Sequence, residues 1–230
     1  MSAARWRQRI ARAAELEHSC PPAAELLHFY RHLAQVSWPP PSSLEPLLEV
    51  VVREGPAPLV EAAGVLLGAP ERWASVIESP ADGVEEFFSR AFRQPHQEAI
   101  ANLDPAPRTS VQPLCPFCES RPLAAVLRPE GDGGKRWLLC GLCFTEWEFR
   151  RLLCPNCGEE DQNKLPVYTA EEFPHVRVEA CDTCRRYIKS IDLTRNGLAV
   201  PEVDELASIA LDLWAANHGY QKIRSNLFGL

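Results

Sequence analysis

The strongest structural signal in this 230-residue chain comes from four short repeats: Cys115-Pro-Phe-Cys118, Cys140-Gly-Leu-Cys143, Cys154-Pro-Asn-Cys157 and Cys181-Asp-Thr-Cys184. A C-x-x-C turn brings two thiolates to adjacent corners of a metal ion, and two such turns complete a tetrahedron. Four turns therefore predict two metal ions. A single C-x-x-C pair would also fit a thioredoxin-type redox site, but that interpretation requires a βαβ pattern that the sequence lacks.

The order of the repeats predicts how they pair. A Cys-Pro-x-Cys turn followed by a second C-x-x-C turn occurs twice, which is typical of an internal duplication. An interleaved cross-brace, in which the first turn joins the third, stays open because ligand order varies among small zinc folds. A tetrathiolate shell accepts zinc or, as in rubredoxin, iron, so the metal stays open as well. The duplication favours one ion held by Cys115, Cys118, Cys140 and Cys143, and a second held by Cys154, Cys157, Cys181 and Cys184.

Strand-like runs flank the second cysteine pair of each copy. Residues 136–139 and 176–180 precede those pairs, and residues 147–149 and 187–189 follow them. Such runs around metal knuckles predict β-hairpins. Residues 128–134 are rich in glycine but lack the G-K-S/T ending of a phosphate loop, so we expect a hairpin tip there.

The first hundred residues have the apolar spacing of helices instead, interrupted by proline and glycine. The predicted helices lie at 5–17, 23–36, 44–53, 59–67, 69–77 and 84–103. A proline-rich stretch at Asp104–Ser110 follows, where we expect a domain boundary. Near the end of the chain, apolar residues recur at helical spacing from Val203 to Trp214, after Pro201 and before a capping Gly219.

These patterns predict an α+β protein. An all-helical N-terminal domain precedes two tandem rubredoxin-like (zinc-ribbon-like) metal knuckle units and a C-terminal helix. We place the helical domain at residues 1–108, the first ribbon at 109–152, the second ribbon at 153–198, and a docking helix with its tail at 199–230.

Composition narrows the function classes. A formal net charge of −7 and a pI near 5.5 argue against a protein that binds nucleic-acid backbones. No apolar run reaches the roughly 20 residues of a membrane helix, and no secretory signal is recognisable, so we expect a cytoplasmic protein whose thiols are reduced. No catalytic triad or dinucleotide fingerprint occurs, and four thiolates leave no open position on either ion. We therefore expect no enzymatic activity.

Three smaller features have simple interpretations. His28 and His32 stand one helical turn apart, but no glutamate follows His28 as in zincins, which favours a solvated helix face. His175 is expected to be a hydrogen-bonded strand residue rather than a support for the second metal site. We expect Cys20, which has no cysteine neighbour, to be buried as a small apolar residue, and its role stays open.

Arginine pairs at 150–151 and 185–186 lie beside Trp147, Phe149 and Tyr187, as in some nucleic-acid-binding ribbons. Acidic residues next to both pairs weaken that interpretation. A solvated or partner-facing surface is the better expectation.

The residues around the cysteines resemble a known family. The order Cys-Pro-x-Cys, then Leu139-Cys140-x-x-Cys143-x-Thr145-Glu146-Trp147, then Cys154-Pro-x-Cys157-Gly158, is similar to the formate dehydrogenase accessory protein family, FdhE. Residues 173–192 and 201–220 extend the likeness, and residues 25–30 and 87–92 match more loosely. Glu119 departs from the pattern, because it stands where the family has glycine.

This resemblance implies a cytoplasmic assembly factor, or maturation chaperone, that binds the catalytic subunit of a molybdenum or tungsten formate dehydrogenase. It implies rubredoxin-type iron on the C-x-x-C motifs, and it makes Trp147, Tyr187 and Lys189 either partner contacts or packing residues. Two alternatives remain: a nucleic-acid-binding zinc ribbon protein and a rubredoxin-like electron carrier.

Overall fold

The computed structural model describes residues 2–103, 112–131 and 133–230. The chain divides into two compact units. The first, which we call the helical unit, comprises Met1–Leu103 and Leu227–Gly229; the second, the ribbon unit, comprises Asp104–Asn226 and Leu230. The predicted boundary stretch Asp104–Ser110 lies outside the described residues, so the four-part division of the chain stays a prediction.

The described part of the helical unit is built from helices around an apolar core. Phe88 is fully buried at its centre, and Phe29 and Phe87 stack beside it with ring centroids 6.0 Å apart. A buried ion pair joins the first helix to the last, with Arg9 Nη1 2.6 Å from Glu98 Oε2. The predicted all-helical character is confirmed. The helices are α1 (Ser2–Ser19), α2 (Ala24–Val36), α3 (Glu45–Glu54), α4 (Ala57–Leu67), α5 (Trp73–Glu78) and α6 (Gly83–Leu103).

Short 3₁₀ turns at Pro21–Ala23 and Pro70–Arg72 lead into α2 and α5. Each turn begins with proline, whose fixed φ suits the start of a helix and whose missing N–H is not needed there. The prolines therefore suit the entry of the chain into α2 and α5.

The described part of the ribbon unit contains one seven-stranded sheet in the order β3-β2-β1-β6-β5-β4, with β7 also paired to β6. The predicted hairpin tip is confirmed, because Glu130 pairs with Gly133 across it. The strands are β1 (Pro122–Glu130), β2 (Gly133–Cys140), β3 (Glu146–Glu148), β4 (Val167–Thr169), β5 (Val176–Cys181), β6 (Arg186–Asp192) and β7 (Gln221–Lys222).

The two copies of the duplication share this sheet. Strands β1 to β3 come from the first copy and β4 to β6 from the second, and β1 pairs in parallel with β6 from Ala124–Lys189 to Leu127–Asp192. Both strands lie in the interior of the sheet order and are buried along most of their length. The two tandem ribbons therefore lie side by side and form one continuous sheet.

The closing helical segment consists of two helices, α7 (Pro201–Ala207) and α8 (Ile209–Asn217), rather than the single predicted helix. The hydroxyl of Ser208 donates to the main-chain oxygens of Asp204 (2.9 Å) and Glu205 (3.0 Å). Such bonds compete with the helical pattern, and Lys189 Nζ also donates to the main-chain oxygens of Glu205 and Ser208. The chain therefore breaks at Ser208, while Gly219, with φ of +75°, ends α8 as predicted.

A buried network of charges fixes these helices to the sheet. Lys189 on β6 lies 2.5 Å from Asp212 Oδ2 and 3.0 Å from Glu205 Oε1. Lys222 on β7 pairs with the same two carboxylates. Burial alone would raise the pKa of Glu205, but the two ammonium groups lower it to about 2. Two cations and two anions therefore balance inside the ribbon unit.

Candidate metal centres

Each cysteine pair sits in a tight knuckle. The residue after the second cysteine has a left-handed backbone in all four turns, with φ of 59° at Glu119, 55° at Phe144, 78° at Gly158 and 56° at Arg185. The N–H groups of Glu119, Gly158 and Arg185 each donate to the main-chain oxygen of the first cysteine in their turn, at 2.8 to 3.0 Å. This conformation turns the chain back so that both sulfur atoms point to the same side.

The first centre gathers Cys115, Cys118, Cys140 and Cys143, whose sulfur atoms all lie within 4.8 Å of one another. The first pair precedes β1, and the second lies at the end of β2. Cys118 Sγ is 3.4 Å from Cys140 Sγ and 3.5 Å from Cys143 Sγ, while Cys115 Sγ is 3.6 Å from Cys143 Sγ. Three of the four residues are buried.

The second centre gathers Cys154, Cys157, Cys181 and Cys184 in the same way. The Sγ atoms of Cys154 and Cys184 are 3.8 Å apart, and those of Cys157 and Cys181 are 3.7 Å apart. Cys157 is exposed, unlike its counterpart Cys118. The geometry therefore follows the predicted sequential pairing of turns, and the interleaved cross-brace is not the arrangement found.

These distances fit a metal ion rather than disulfides. A tetrahedral ion with metal to sulfur bonds of roughly 2.3 Å separates its ligands by about 3.8 Å. The observed separations of 3.4 to 3.8 Å are close to that value, whereas a disulfide holds its sulfurs about 2.05 Å apart. Both groups therefore suit a tetrathiolate ion, and zinc and iron meet this geometry equally well.

The electrostatics of the first centre also suit a cation. Hydrogen bonding with Cys115 lowers the pKa of the Cys118 thiol but raises the pKa of the Cys140 thiol. Thiols this close cannot all ionise without a neighbouring positive charge. The N–H groups of Leu142 (3.3 Å) and Cys143 (3.4 Å) point at Cys140 Sγ, where they stabilise a thiolate. Thr145 Oγ1 lies 3.1 Å from Cys143 Sγ, so its hydroxyl can donate to a second thiolate.

Polar contacts brace the second centre from outside. Glu159 accepts a 2.5 Å hydrogen bond from the Thr183 hydroxyl and thereby connects the two knuckles. Arg121 of the first copy donates to Asn156 Oδ1, inside the third C-x-x-C turn, at 2.6 Å. Sequence reasoning missed these supports because their partners are distant in the chain.

The other singled-out residues lie away from the cysteines. His175 Nε2 is 2.8 Å from Asp204 Oδ1, so it fixes α7 rather than the second centre. Trp147, Tyr187 and Lys189 are all buried, which makes them packing residues of the ribbon unit.

The basic and aromatic residues do not form a stacking surface. Trp147, Phe149 and Tyr187 are buried and present no ring face to a nucleic-acid base. Arg150 pairs with Glu160 at 2.8 Å, and Arg185 pairs with Asp182 at 2.9 Å. Their charges are therefore partly neutralised within the protein.

Helices followed by tandem ribbons with two tetracysteine groups define a class of two-centre, rubredoxin-like proteins. Comparison with known families agrees with this class. Residues 114–151 match the central domain of FdhE, and residues 152–228 match its C-terminal domain. The chain belongs to the FdhE family.

Relatives extend the match beyond the ribbons. An FdhE homolog from Pseudomonas aeruginosa is 30% identical over 234 residues, which cover 92% of this chain and 72% of the relative. An FdhE homolog from Aquifex aeolicus is 38% identical over 116 residues, which cover 50% of this chain but only 41% of the relative. The crystal structure of the FdhE protein from Pseudomonas aeruginosa shares the fold, with a TM-score of 0.77 and 24% sequence identity. The match covers 97% of this chain and 95% of that chain.

Within the described residues, no helix combines the length and apolar character needed to cross a membrane.

Proposed function

We propose that this chain is a non-catalytic maturation factor that binds the catalytic subunit of a formate dehydrogenase in the cytoplasm, and that its eight clustered cysteines hold two metal ions. The proposal rests on one observation above all. Two complete sets of four thiolates converge in a chain of the FdhE family. The role itself comes from the family resemblance.

The chemistry of the sites supports a non-catalytic role. With four thiolates around each ion, no position is left for a substrate or an activated water. The ions would instead fix the knuckles, and their binding energy would be folding energy for the ribbon unit. The surface that binds the client would then require the metal ions for its folding, although no reaction would take place at the ions.

Electron transfer is a second candidate, because Cys157 is exposed while the other cysteines of its centre are at least partly buried. An exposed thiolate of an iron centre gives electrons a short path to a partner. This alternative predicts an iron-loaded protein whose colour bleaches reversibly on reduction and a partner that accepts the electron. A maturation factor should bind its client without turnover.

The direct experiment is an affinity pull-down of the tagged chain from its own host, grown to express formate dehydrogenase, with bound proteins identified by mass spectrometry. The test variant carries Cys154→Ser and Cys157→Ser, which remove half of the second centre. Cys20→Ser is the matched control, because Cys20 lies in the helical unit outside both cysteine groups.

The proposal predicts that the catalytic subunit is recovered with the unaltered chain and with Cys20→Ser, and is lost with the double variant. Recovery of nucleic acid or an electron-transfer protein in place of the catalytic subunit would contradict it. Equal recovery by all three proteins would refute the dependence on the second centre.

A further inference from the structure

A cluster of histidines and carboxylates lies in the helical unit, remote in sequence from the cysteines. His28 and His32 come from α2, and Glu54 is the last residue of α3. One donor atom from each of these three side chains lies within 4.8 Å of the other two. The helical spacing of four residues places both imidazoles on the same face of α2.

The distances are close to those of a coordination shell. His28 Nε2 is 3.4 Å from Glu54 Oε2, and tetrahedral nitrogen and oxygen ligands at 2.0 to 2.1 Å from zinc are separated by about 3.3 Å. The two imidazole rings have centroids 4.7 Å apart and are tilted by 51°. Small side-chain rotations would therefore bring all three donors onto one ion.

A second carboxylate orients the first histidine. Glu17 on α1 has Oε1 2.8 Å from His28 Nδ1, and Arg31 Nε donates to Glu17 Oε2 at 3.0 Å. In the tautomer that carries its proton on Nδ1, His28 donates to Glu17 and its Nε2, which lies 3.4 Å from Glu54 Oε2, is available to a cation. Metal-binding histidines are commonly fixed in this way by a carboxylate on the other ring nitrogen.

The Glu54 carboxylate is also oriented so that it can bind a cation. Arg53 Nε donates to Glu54 Oε1 at 2.8 Å, which leaves Oε2 directed at the histidines. Side chains at the cluster are partly exposed, with 40% exposure at His28 and 21% at Glu54, so an ion can enter from solvent.

We propose that His28, His32 and Glu54 form a third metal site, which binds a first-row divalent cation such as Zn²⁺, with Glu17 as the positioning residue. Two imidazoles and one carboxylate are a ligand set typical of these cations. Three protein ligands leave a coordination position open, in contrast to the cysteine centres. The sequence favoured a solvated helix face because no glutamate follows His28; the carboxylate instead comes from α3.

Cobalt substitution tests this site in the full chain. The protein is prepared with two Zn²⁺ per chain, which fill the two cysteine centres, and is then titrated with Co²⁺ while its absorption spectrum is recorded. Cobalt bound by nitrogen and oxygen gives weak visible bands, whereas cobalt that displaces zinc from thiolates adds intense near-ultraviolet charge transfer. The proposal predicts the weak bands, saturating at one Co²⁺ per chain, without the charge transfer.

Single substitutions distinguish the proposed metal ligands from side chains that do not bind the ion. His32→Ala and Glu54→Gln should abolish the saturable bands, and Glu17→Gln should weaken Co²⁺ binding by about 10- to 100-fold, as for other carboxylates that orient metal-bound histidines. The matched control is His18→Ala, because His18 is exposed on α1 and its ring contacts the main-chain oxygen of Ala14. It should bind Co²⁺ as tightly as the unaltered chain. Circular dichroism checks that each variant keeps its helices.

Two results would overturn the proposal. Absence of saturable visible bands in the zinc-loaded chain would mean that His28 only bridges Glu17 and Glu54 through hydrogen bonds. Bands that persist in folded His32→Ala and Glu54→Gln would place the cobalt elsewhere.

Discussion

Replacing Gly158 by alanine tests the knuckle geometry at the second centre. Gly158 follows Cys157 with φ of +78°, and a Cβ atom added there would meet no heavy atom within 4 Å. The substitution therefore introduces backbone strain without a steric clash. It changes none of the four cysteines.

The expected magnitude follows from two opposing terms. A left-handed backbone costs a non-glycine residue roughly 1–2 kcal/mol, while losing the freedom of glycine in the unfolded chain returns about 0.4–1 kcal/mol. The net destabilisation is about 1 kcal/mol. Because metal binding is coupled to folding of such sites, this loss should weaken zinc affinity at the second centre about fivefold.

The assay is competition for Zn²⁺ with a chromophoric chelator at fixed pH, compared among three variants. Gly133→Ala is the matched control in the ribbon unit, because Gly133 has no neighbour within 4 Å and no positive φ. It should leave zinc affinity within about twofold of the parent, given the small strand cost of glycine. Glu119→Gly is the reciprocal variant: Glu119 has φ of 59° in the first centre, and relieving that strain should tighten the first centre.

Unchanged or tighter zinc binding in Gly158→Ala would show that the left-handed turn does not limit zinc affinity at the second centre. So would equal weakening by Gly133→Ala, because the effect would then not depend on the left-handed turn.

Three further outcomes are expected. Lys189→Met should lower the free energy of unfolding of the metal-loaded chain by about 3–5 kcal/mol in denaturant titrations, because two buried carboxylates lose a cation. The control is Lys164→Met, which removes an exposed ion pair and should change the free energy of unfolding by less than about 1 kcal/mol. His175→Ala should cost about 1–3 kcal/mol in the same titration, because the buried carboxylate of Asp204 loses a partner. Removing the metal ions, either with a chelator at neutral pH or with acid that protonates the thiolates, should abolish the strand signal in circular dichroism while helical signal persists. Loss of both signals together, or persistence of both, would contradict this expectation.

Local patterns in the sequence predicted much of this fold. Proline and glycine marked the ends of helices such as α3 and α4, and the hairpin tip near Gly131 followed from its composition. The eight cysteines could be grouped because each C-x-x-C turn is a local structure and the duplication supplied the pairing. These are features whose physical causes lie within a few residues of one another.

Long-range features were not predictable in this way. The parallel pairing of β1 with β6 depends on strands about 60 residues apart, and no local pattern distinguishes it from two separate sheets. The break at Ser208 depends on Lys189 reaching the main-chain oxygens of Glu205 and Ser208 from another element. The same limit applies to Glu54, which meets the histidines of α2 only through the packing of α3.

Counting sulfur-bound ions tests whether the chain holds two independent tetrathiolate centres. The chain is reconstituted with Co²⁺, and sulfur-to-cobalt charge transfer is measured per chain for the parent, for Cys118→Ser with Cys143→Ser, and for Cys154→Ser with Cys157→Ser. We expect two sulfur-bound ions in the parent and one in each double variant. A single sulfur-bound ion in the parent, or loss of both ions in either double variant, would contradict it.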